Sequence, residues 1–154
     1  GGTFRDEGLC RAHRARRTRR RVNHHLLVVD ASVVLDLLAR FRPQPQEALL
    51  WAPDTSLAAP ELIDVEVLSA LRKFDREGAI PASRRAGMPA QLRGLRIRKF
   101  RHDALLEGIW SLRSNVTACD AAYVTLAAAL KVPLVTRDAR LAKAVESMLE
   151  VMTP

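Results

Sequence analysis

Four apolar residues, Leu26, Leu27, Val28 and Val29, run directly into an acid, Asp30, and then into Ala31 and Ser32. A short uninterrupted apolar run, half of it β-branched, is the pattern of a strand buried on both faces, as in a parallel sheet. Beyond Asp30 the period changes. Val33, Val34, Leu37 and Leu38 share one helical face, with Ser32 placed to cap it. A carboxylate is therefore expected at the carboxyl end of a buried strand, which is where open α/β sheets bind ligands. The remaining sequence is best searched for residues able to meet Asp30 at that edge.

The same alternation of strand and helix continues. Arg42-Pro43-Gln44-Pro45 breaks the chain, and a short helix is expected over about 45–52, with Leu49, Leu50 and Trp51 as its apolar part. Residues 56–59 read as a strand. Pro60 is expected to start a helix that Gly78 ends, with Leu62, Val65, Leu68, Leu71 and Phe74 as its apolar face. One further helix is expected from Pro81 to about Leu92, then a strand at 95–98 and a helix at 102–113. An Ala-rich helix follows at 118–130, a strand at 134–136, a helix at 139–147 and an edge strand at 149–152. This order implies a single α/β domain, a central parallel sheet of four to five strands flanked by helices. No phosphate-cradling glycine pattern occurs.

Composition matters mainly through where the charge lies. The chain of 154 residues has a net charge of +8, yet residues 1–21, with eight Arg against Asp6 and Glu7, carry +6 of it. Residues 1–23 show no hydrophobic period, so they are expected to be disordered on their own or not part of the native domain, which then spans 24–154. The competing reading is a basic arm that holds RNA or folds back on an acidic cleft. Between Gly78 and Arg101 there is no acid, and Arg84, Arg85, Arg96, Arg98 and Lys99 form a candidate RNA-facing surface. The adjacent His24 and His25 lack ligand spacing. Cys119 falls in an apolar helical pattern and is expected in the core. No apolar run is long enough to span a membrane and no secretory leader is visible. The two cysteines make no disulfide framework, so a cytoplasmic location is expected.

Three acids fall where they can join Asp30. Asp138 repeats its logic, following the strand 134–136 at a helix start, although an Asp there also serves as an N-cap. Asp120 lies three residues after Thr117, the spacing of a capping box. One acid of the turn Glu61-Leu62-Ile63-Asp64-Val65-Glu66 looks buried among apolar neighbours, but spacing alone does not choose among Glu61, Asp64 and Glu66. Several carboxylates at one site do not all ionise without a cation, and an all-oxygen set favours Mg²⁺ or Mn²⁺. Such ions activate water and stabilise charge in phosphodiester hydrolysis.

The segments Val28-Val29-Asp30-Ala31-Ser32, Glu66-Val67-Leu68-Ser69-Ala70-Leu71, Thr117-Ala118-Cys119-Asp120-Ala121-Ala122-Tyr123-Val124 and Thr136-Arg137-Asp138 resemble, in that order, the PIN-domain ribonucleases, and most of all the VapC-type toxins. The resemblance covers about residues 26–145. It implies Mg²⁺- or Mn²⁺-dependent endonucleolytic cleavage of RNA, with tRNA or rRNA as substrate classes, leaving a 5′-phosphate. It implies Asp30, Glu66, Asp120 and Asp138 as the catalytic acids, and so singles out Glu66. Asp30, Asp120 and Asp138 would hold metal, while Ser32, Thr117 and Thr136 would support the site by hydrogen bonding to carboxylates or to water on the metal. It also implies homodimers and a cognate VapB-type antitoxin, whose tail often places an Arg in the acidic cleft. Cys119 departs from many relatives, and residues 1–22 have no counterpart in a typical toxin of this kind.

Two other classes remain to be weighed. An RNA- or partner-binding PIN-like module would keep the fold without cutting, and the intact acidic quartet speaks against it. A phosphoacceptor domain would need an acid at a mid-chain strand end and a Lys at a late one. Residues 57–59 end instead at Pro60, and Lys131 precedes its strand.

Overall fold

The computed structural model describes residues 25–39, 48–50 and 52–154. The Arg-rich segment 1–23, His24 and half of the helix expected at 45–52 lie outside the described residues, which retain a single 3₁₀ turn of the latter at 48–50.

Five strands, β1 (His25–Val29), β2 (Thr55–Pro60), β3 (Ile97–Phe100), β4 (Leu134–Val135) and β5 (Val151–Met152), form one sheet in the order β3-β2-β1-β4-β5. Every adjacent pair is parallel. Parallel neighbours need crossover connections. The described helices among these are α1 (Ala31–Ala39), α2 (Ile63–Arg76), α3 (Ala82–Arg85), α4 (Met88–Gly94), α5 (Leu106–Ser111), α6 (Ala118–Leu130) and α7 (Ala139–Val145). The chain begins in the middle of the sheet, builds outward through β2 to β3, and then returns to the other side of β1 for β4 and β5. The order therefore reverses between β1 and β4, and the carboxyl ends of these two strands flank the crevice that such a reversal opens.

The central strand behaves as its sequence requires. Leu27, Val28 and Val29 are all buried, and α6 lies over the sheet with Ala121, Ala122, Val124, Leu126 and Ala127 buried. The alanines let this helix approach the strands closely. Gly108 of α5 does the same for the helix pair, since a Cβ there would sit 2.3 Å from Thr125 Cγ2.

Several local expectations need correction. Pro60 closes β2 instead of opening a helix: it pairs with Phe100, beyond the last β1 register position at Ala58, so its missing N–H is not needed by the ladder. The helix starts at Ile63, and its buried residues are Ile63, Val67 and Leu71. Val65 is 68% exposed and Leu68 is exposed too. Steps of three fall about 60° short of a helical turn, so the three-residue series drifts off the core, whereas the four-residue series stays on it. The helix expected at 81–92 is two, α3 and α4, because Pro89 fits only the first turn of a restarted helix. The helix expected at 102–113 is a 3₁₀ turn at Asp103–Leu105 followed by α5. Gly78 ends the α2 segment with a φ of +73°, as a glycine can.

Candidate active site

The register of β1 against β4 builds the centre of the site. Val29 pairs with Val135, and the Asp30 amide donates to the Val135 carbonyl, so Asp30 and Thr136 emerge side by side. Asp30 is only 6% exposed. Its Oδ1 accepts from the amides of Ser32 (2.9 Å) and Val33 (3.3 Å) and from the Ser32 hydroxyl, and its Oδ2 accepts from the Thr136 hydroxyl. Asp30 itself thus receives the first amides of α1, the role expected of Ser32.

The two hydroxyls have matching second roles. Ser32 Oγ accepts from the Arg137 amide (2.9 Å), and Thr136 Oγ1 accepts from the Asp138 amide (3.0 Å). Each hydroxyl is therefore oriented by a backbone N–H on one side and points its proton at a different Asp30 oxygen on the other. An ion pair between Arg137 and Asp36 of α1 (2.9 Å) fixes the same loop from behind.

Asp138 caps α7, its Oδ1 accepting from the amides of Arg140 (2.8 Å) and Leu141 (3.2 Å). Thr117 caps α6, accepting from the Asp120 amide (3.2 Å) while donating its hydroxyl to Asp120 Oδ2 (2.7 Å). The capping role and the edge position of both acids hold together. Asp138 as a cap and Asp120 in the first turn of α6 line one cleft.

Glu66 sits on the first turn of α2, and a buried tyrosine anchors it: the Tyr123 hydroxyl donates to Glu66 Oε2 at 2.6 Å. Tyr123 is only 2% exposed, and a buried phenol requires such a partner. The sequence offered a weak sign of this bond, a lone Tyr in an otherwise small-residue helix. Cys119, one turn before Tyr123 on α6, is exposed and not in the core as expected. It lies near enough to Glu66 to feel its charge, so the helix periodicity of its neighbours misplaces it.

Burial raises the proton affinity of Asp30, against the lowering effect of its Ser32 and Thr136 hydroxyl bonds. Burial does the same to Glu66, and the negative charges of Asp120 and Asp30 add to it. The Tyr123 phenol is pushed well above its ordinary range by burial and by Glu66, which keeps it a donor at any physiological pH. The Cys119 thiol is raised by burial and then by the charge of Glu66. Glu66 therefore feels both Asp30 and Asp120, and the Asp138 backbone is tied to Asp30 through Thr136.

Among the described residues, no group of three or more His, Cys, Asp or Glu side chains is gathered closely enough to hold an ion as it stands. The donor chemistry nevertheless fits a hard divalent cation. All four acids offer oxygen, two have ionisation opposed by burial, and a cation between them would relieve the repulsion. His102 accepts from the Leu62 amide (3.2 Å) at the β2–α2 corner.

The basic residues expected to face RNA lie elsewhere. Arg84 donates to the carbonyls of Leu38 (2.8 Å) and Ala39 at the end of α1, Arg85 pairs with Asp75, and Lys99 pairs with Asp64. Arg96 and Arg98 are exposed near and on β3, an edge strand separated from β1 by β2, with the Arg98 guanidinium 4.9 Å from the Phe100 ring centre.

Fold and acids together define an α/β domain with carboxylates at the carboxyl edge of a parallel sheet, where its strand order reverses. A family model described as PIN domain matches residues 27–146, and the chain belongs to that family. It is 37% identical over 118 residues to ribonuclease VapC3 of Mycobacterium tuberculosis, covering 77% of this chain and 86% of that protein. It is 39% identical over 118 residues to ribonuclease VapC1 of the same organism, covering 76% and 89%. Among solved structures it is similar in fold to PAE2754 from Pyrobaculum aerophilum, with a TM-score of 0.59 and 19% identity over 84% of this chain and 90% of that one. It is likewise similar to a member of the VapBC family of toxin–antitoxin systems, VapBC-5 from M. tuberculosis, with a TM-score of 0.55 and 22% identity over 83% and 96%.

Proposed function

We propose that this chain is a metal-dependent endoribonuclease, the toxin of a toxin–antitoxin pair. The observation that carries the reading is Asp30: a buried carboxylate gripped by two hydroxyls at the sheet's reversal point, within electrostatic reach of Glu66. Relatives named as ribonucleases support it.

Asp30, Asp120 and Asp138 would hold Mg²⁺ or Mn²⁺, and Glu66 completes the acidic set. A bound divalent ion supplies Lewis acidity, activating water and stabilising charge on the phosphodiester oxygens. The rest is done by the chain. Ser32 and Thr136 hold Asp30 in one orientation. Tyr123 holds Glu66 toward the site from α6. Thr117 fixes Asp120. Arg96 and Arg98 remain secondary candidates for distant RNA contact, whereas Arg84, Arg85 and Lys99 already serve partners within the fold.

The same reading places the catalytic unit in residues 24–154, with tRNA or rRNA as substrate, a VapB-type antitoxin and a second copy of the chain as partners, and the cytoplasm as location. Among the described residues no helix is long and apolar enough to cross a membrane. Deleting residues 1–21 should leave cleavage unchanged; altered activity would make that segment part of the working unit.

The second reading, a PIN-like module that binds without cutting, draws on the acids not being gathered in advance around one point. Incubating the purified chain with total RNA, with and without Mg²⁺, and mapping new 5′ ends separates the two. Metal-dependent cuts bearing 5′-phosphates are expected. RNA bound but left intact would favour the module.

A further inference from the structure

A cleft of about 470 Å³ opens between the α5–α6 loop and α7, lined by Arg113, Asn115, Thr117, Asp120, Asp138 and Arg140 among others. Its floor belongs to the acidic site just described. Its walls do not, and Arg113 and Ser114 on them lie outside every segment that carries the family resemblance. Arg113 stands on one side. Its guanidinium lies 5.1 Å from the ring centre of Trp110 and donates to the Trp110 carbonyl at 3.1 Å, so its position is set in advance. Trp110 itself is 69% exposed, which is unusual for the largest apolar side chain. Arg140 stands on the other side, on the first turn of α7. Its side chain is 96% exposed, and its contact to Asp138 is a loose 3.9 Å. Exposed ion pairs of that length neutralise little.

The arrangement has a physical logic. Two carboxylates at the floor repel a polyanion, so a substrate with a phosphate backbone needs cations that flank the acids without quenching them. One Arg on each rim meets that need, because a guanidinium forks onto phosphate oxygens. The volume falls in the range of about 300–1,000 Å³ that seats a small ligand, so one nucleotide unit fits, and the cleft is open for a strand to continue. Single-stranded RNA is recognised by aromatic stacking together with backbone cations, and the exposed Trp110 beside Arg113 offers the stacking face. Ser114 and Asn115 line the same cleft and supply side-chain donors and acceptors where base edges or a 2′-hydroxyl would pass.

We propose that this cleft is the track for the RNA strand, with Arg113 and Arg140 binding phosphates on either side of the acids and Trp110 stacking an adjacent base. The proposal rests on the ribonuclease reading for its substrate class, and it moves the RNA contact away from the 84–99 basic run.

The test uses the full chain carrying Arg113→Ala, Arg140→Ala or Trp110→Ala, with Arg76→Ala as a distant exposed control. Binding of a fluorescent single-stranded RNA is followed by anisotropy across a salt series in the Asp30→Asn background, and cleavage of the same RNA is measured with Asp30 intact. Each Arg variant should weaken binding about tenfold and lower the dependence of log K on log salt by about 0.7–1. In cleavage the effect should fall on KM more than on kcat. Trp110→Ala should weaken binding with little change in salt slope. Affinity, salt slope and KM all matching the Arg76→Ala control would overturn the track. A wild-type chain that binds RNA through these residues but never cuts it would leave the track standing and remove the ribonuclease reading instead. A chain that cuts RNA indifferently to both Arg substitutions would do the reverse.

Discussion

Asp30 and Asp138 are built by the same local grammar and end in different environments. Each follows a short parallel strand, and each accepts the first amides of the helix behind it. Asp30 comes directly after β1, in the middle of the sheet, where both of its oxygens are taken by hydroxyls and amides and water is excluded. Asp138 comes three residues after β4 ends. Its carboxylate stays partly exposed, with Oδ1 turned to the α7 amides. Thr136 joins the two, donating to one acid and accepting from the backbone of the other. One carboxylate is therefore a buried anchor, and the other is an arm held to α7 by one oxygen beside the open cleft. In the proposed function the first would hold the cation and the second would leave room for a strand.

The largest effect should come from the anchor. Asp30→Asn keeps the volume and an acceptor for α1 but removes the buried charge. Cleavage should fall by about 10³-fold, the size expected for loss of a preorganised electrostatic group. Thermal stability in metal-free buffer at neutral pH should be unchanged or slightly higher, because a buried charge has gone. Activity within tenfold of wild type would break the comparison.

Tyr123→Phe tests whether Glu66 also needs a fixed orientation. A hydrogen bond to a charged group contributes about 1.5–3 kcal/mol, so cleavage should fall by roughly 10- to 100-fold in kcat, with RNA affinity preserved. Loss of RNA affinity with normal kcat would assign Tyr123 to packing alone.

A smaller effect is thermodynamic. The folded proton affinities of Asp30 and Glu66 are raised, chiefly by burial, above ordinary values of 3.8 and 4.5. As pH rises past those values the unfolded chain releases its protons first, and stability falls until the folded acids have ionised as well. Metal-free protein should therefore be more stable in mild acid than at pH 8 as far as these two groups decide it. Saturating Mg²⁺ should flatten that slope and stabilise the fold at pH 8 by about 2.7 kcal/mol at a hundred times Kd, read as a higher melting temperature. Stability that rises through the same interval, or no response to Mg²⁺, would contradict the assignment.

The smallest effect separates the two duties of the arm. Asp138→Ala should cost about 1 kcal/mol of stability through loss of the α7 cap, whereas Asp138→Asn should keep the cap. Both should reduce cleavage. Equal melting temperatures for the two variants would show that the cap carries no weight.

The sheet and its central acid were legible in the sequence because parallel buried strands leave an unbroken apolar signature, and β1 has it in full. Asp120 and Asp138 were visible as caps, since capping spacing is local. Glu66 was not separable from Glu61 and Asp64 by pattern, because its partner Tyr123 lies 57 residues away. Only the resemblance chose it. The α2 face was misread for a different reason: apolar residues at Val65 and Leu68 extend the stripe in sequence but stand in solvent. Cys119 was misplaced because the first turn of a helix escapes the periodicity of its body. The basic run was visible as composition, yet composition does not say which Arg are already committed to carbonyls and carboxylates. Of the two that flank the cleft, Arg140 lies two residues from Asp138, whereas Arg113 becomes a neighbour of the acids only through the fold.

The central claim is that these carboxylates hold one divalent-ion site around Asp30. Titration of Mn²⁺ by calorimetry into the metal-free chain, and into Asp30→Asn and Asp120→Asn, tests it without reference to any RNA. The account predicts binding by the wild-type chain and at least about tenfold weaker binding by each variant, the loss of one opposite charge from a buried set. Equal Mn²⁺ affinity in wild type and Asp30→Asn would contradict it.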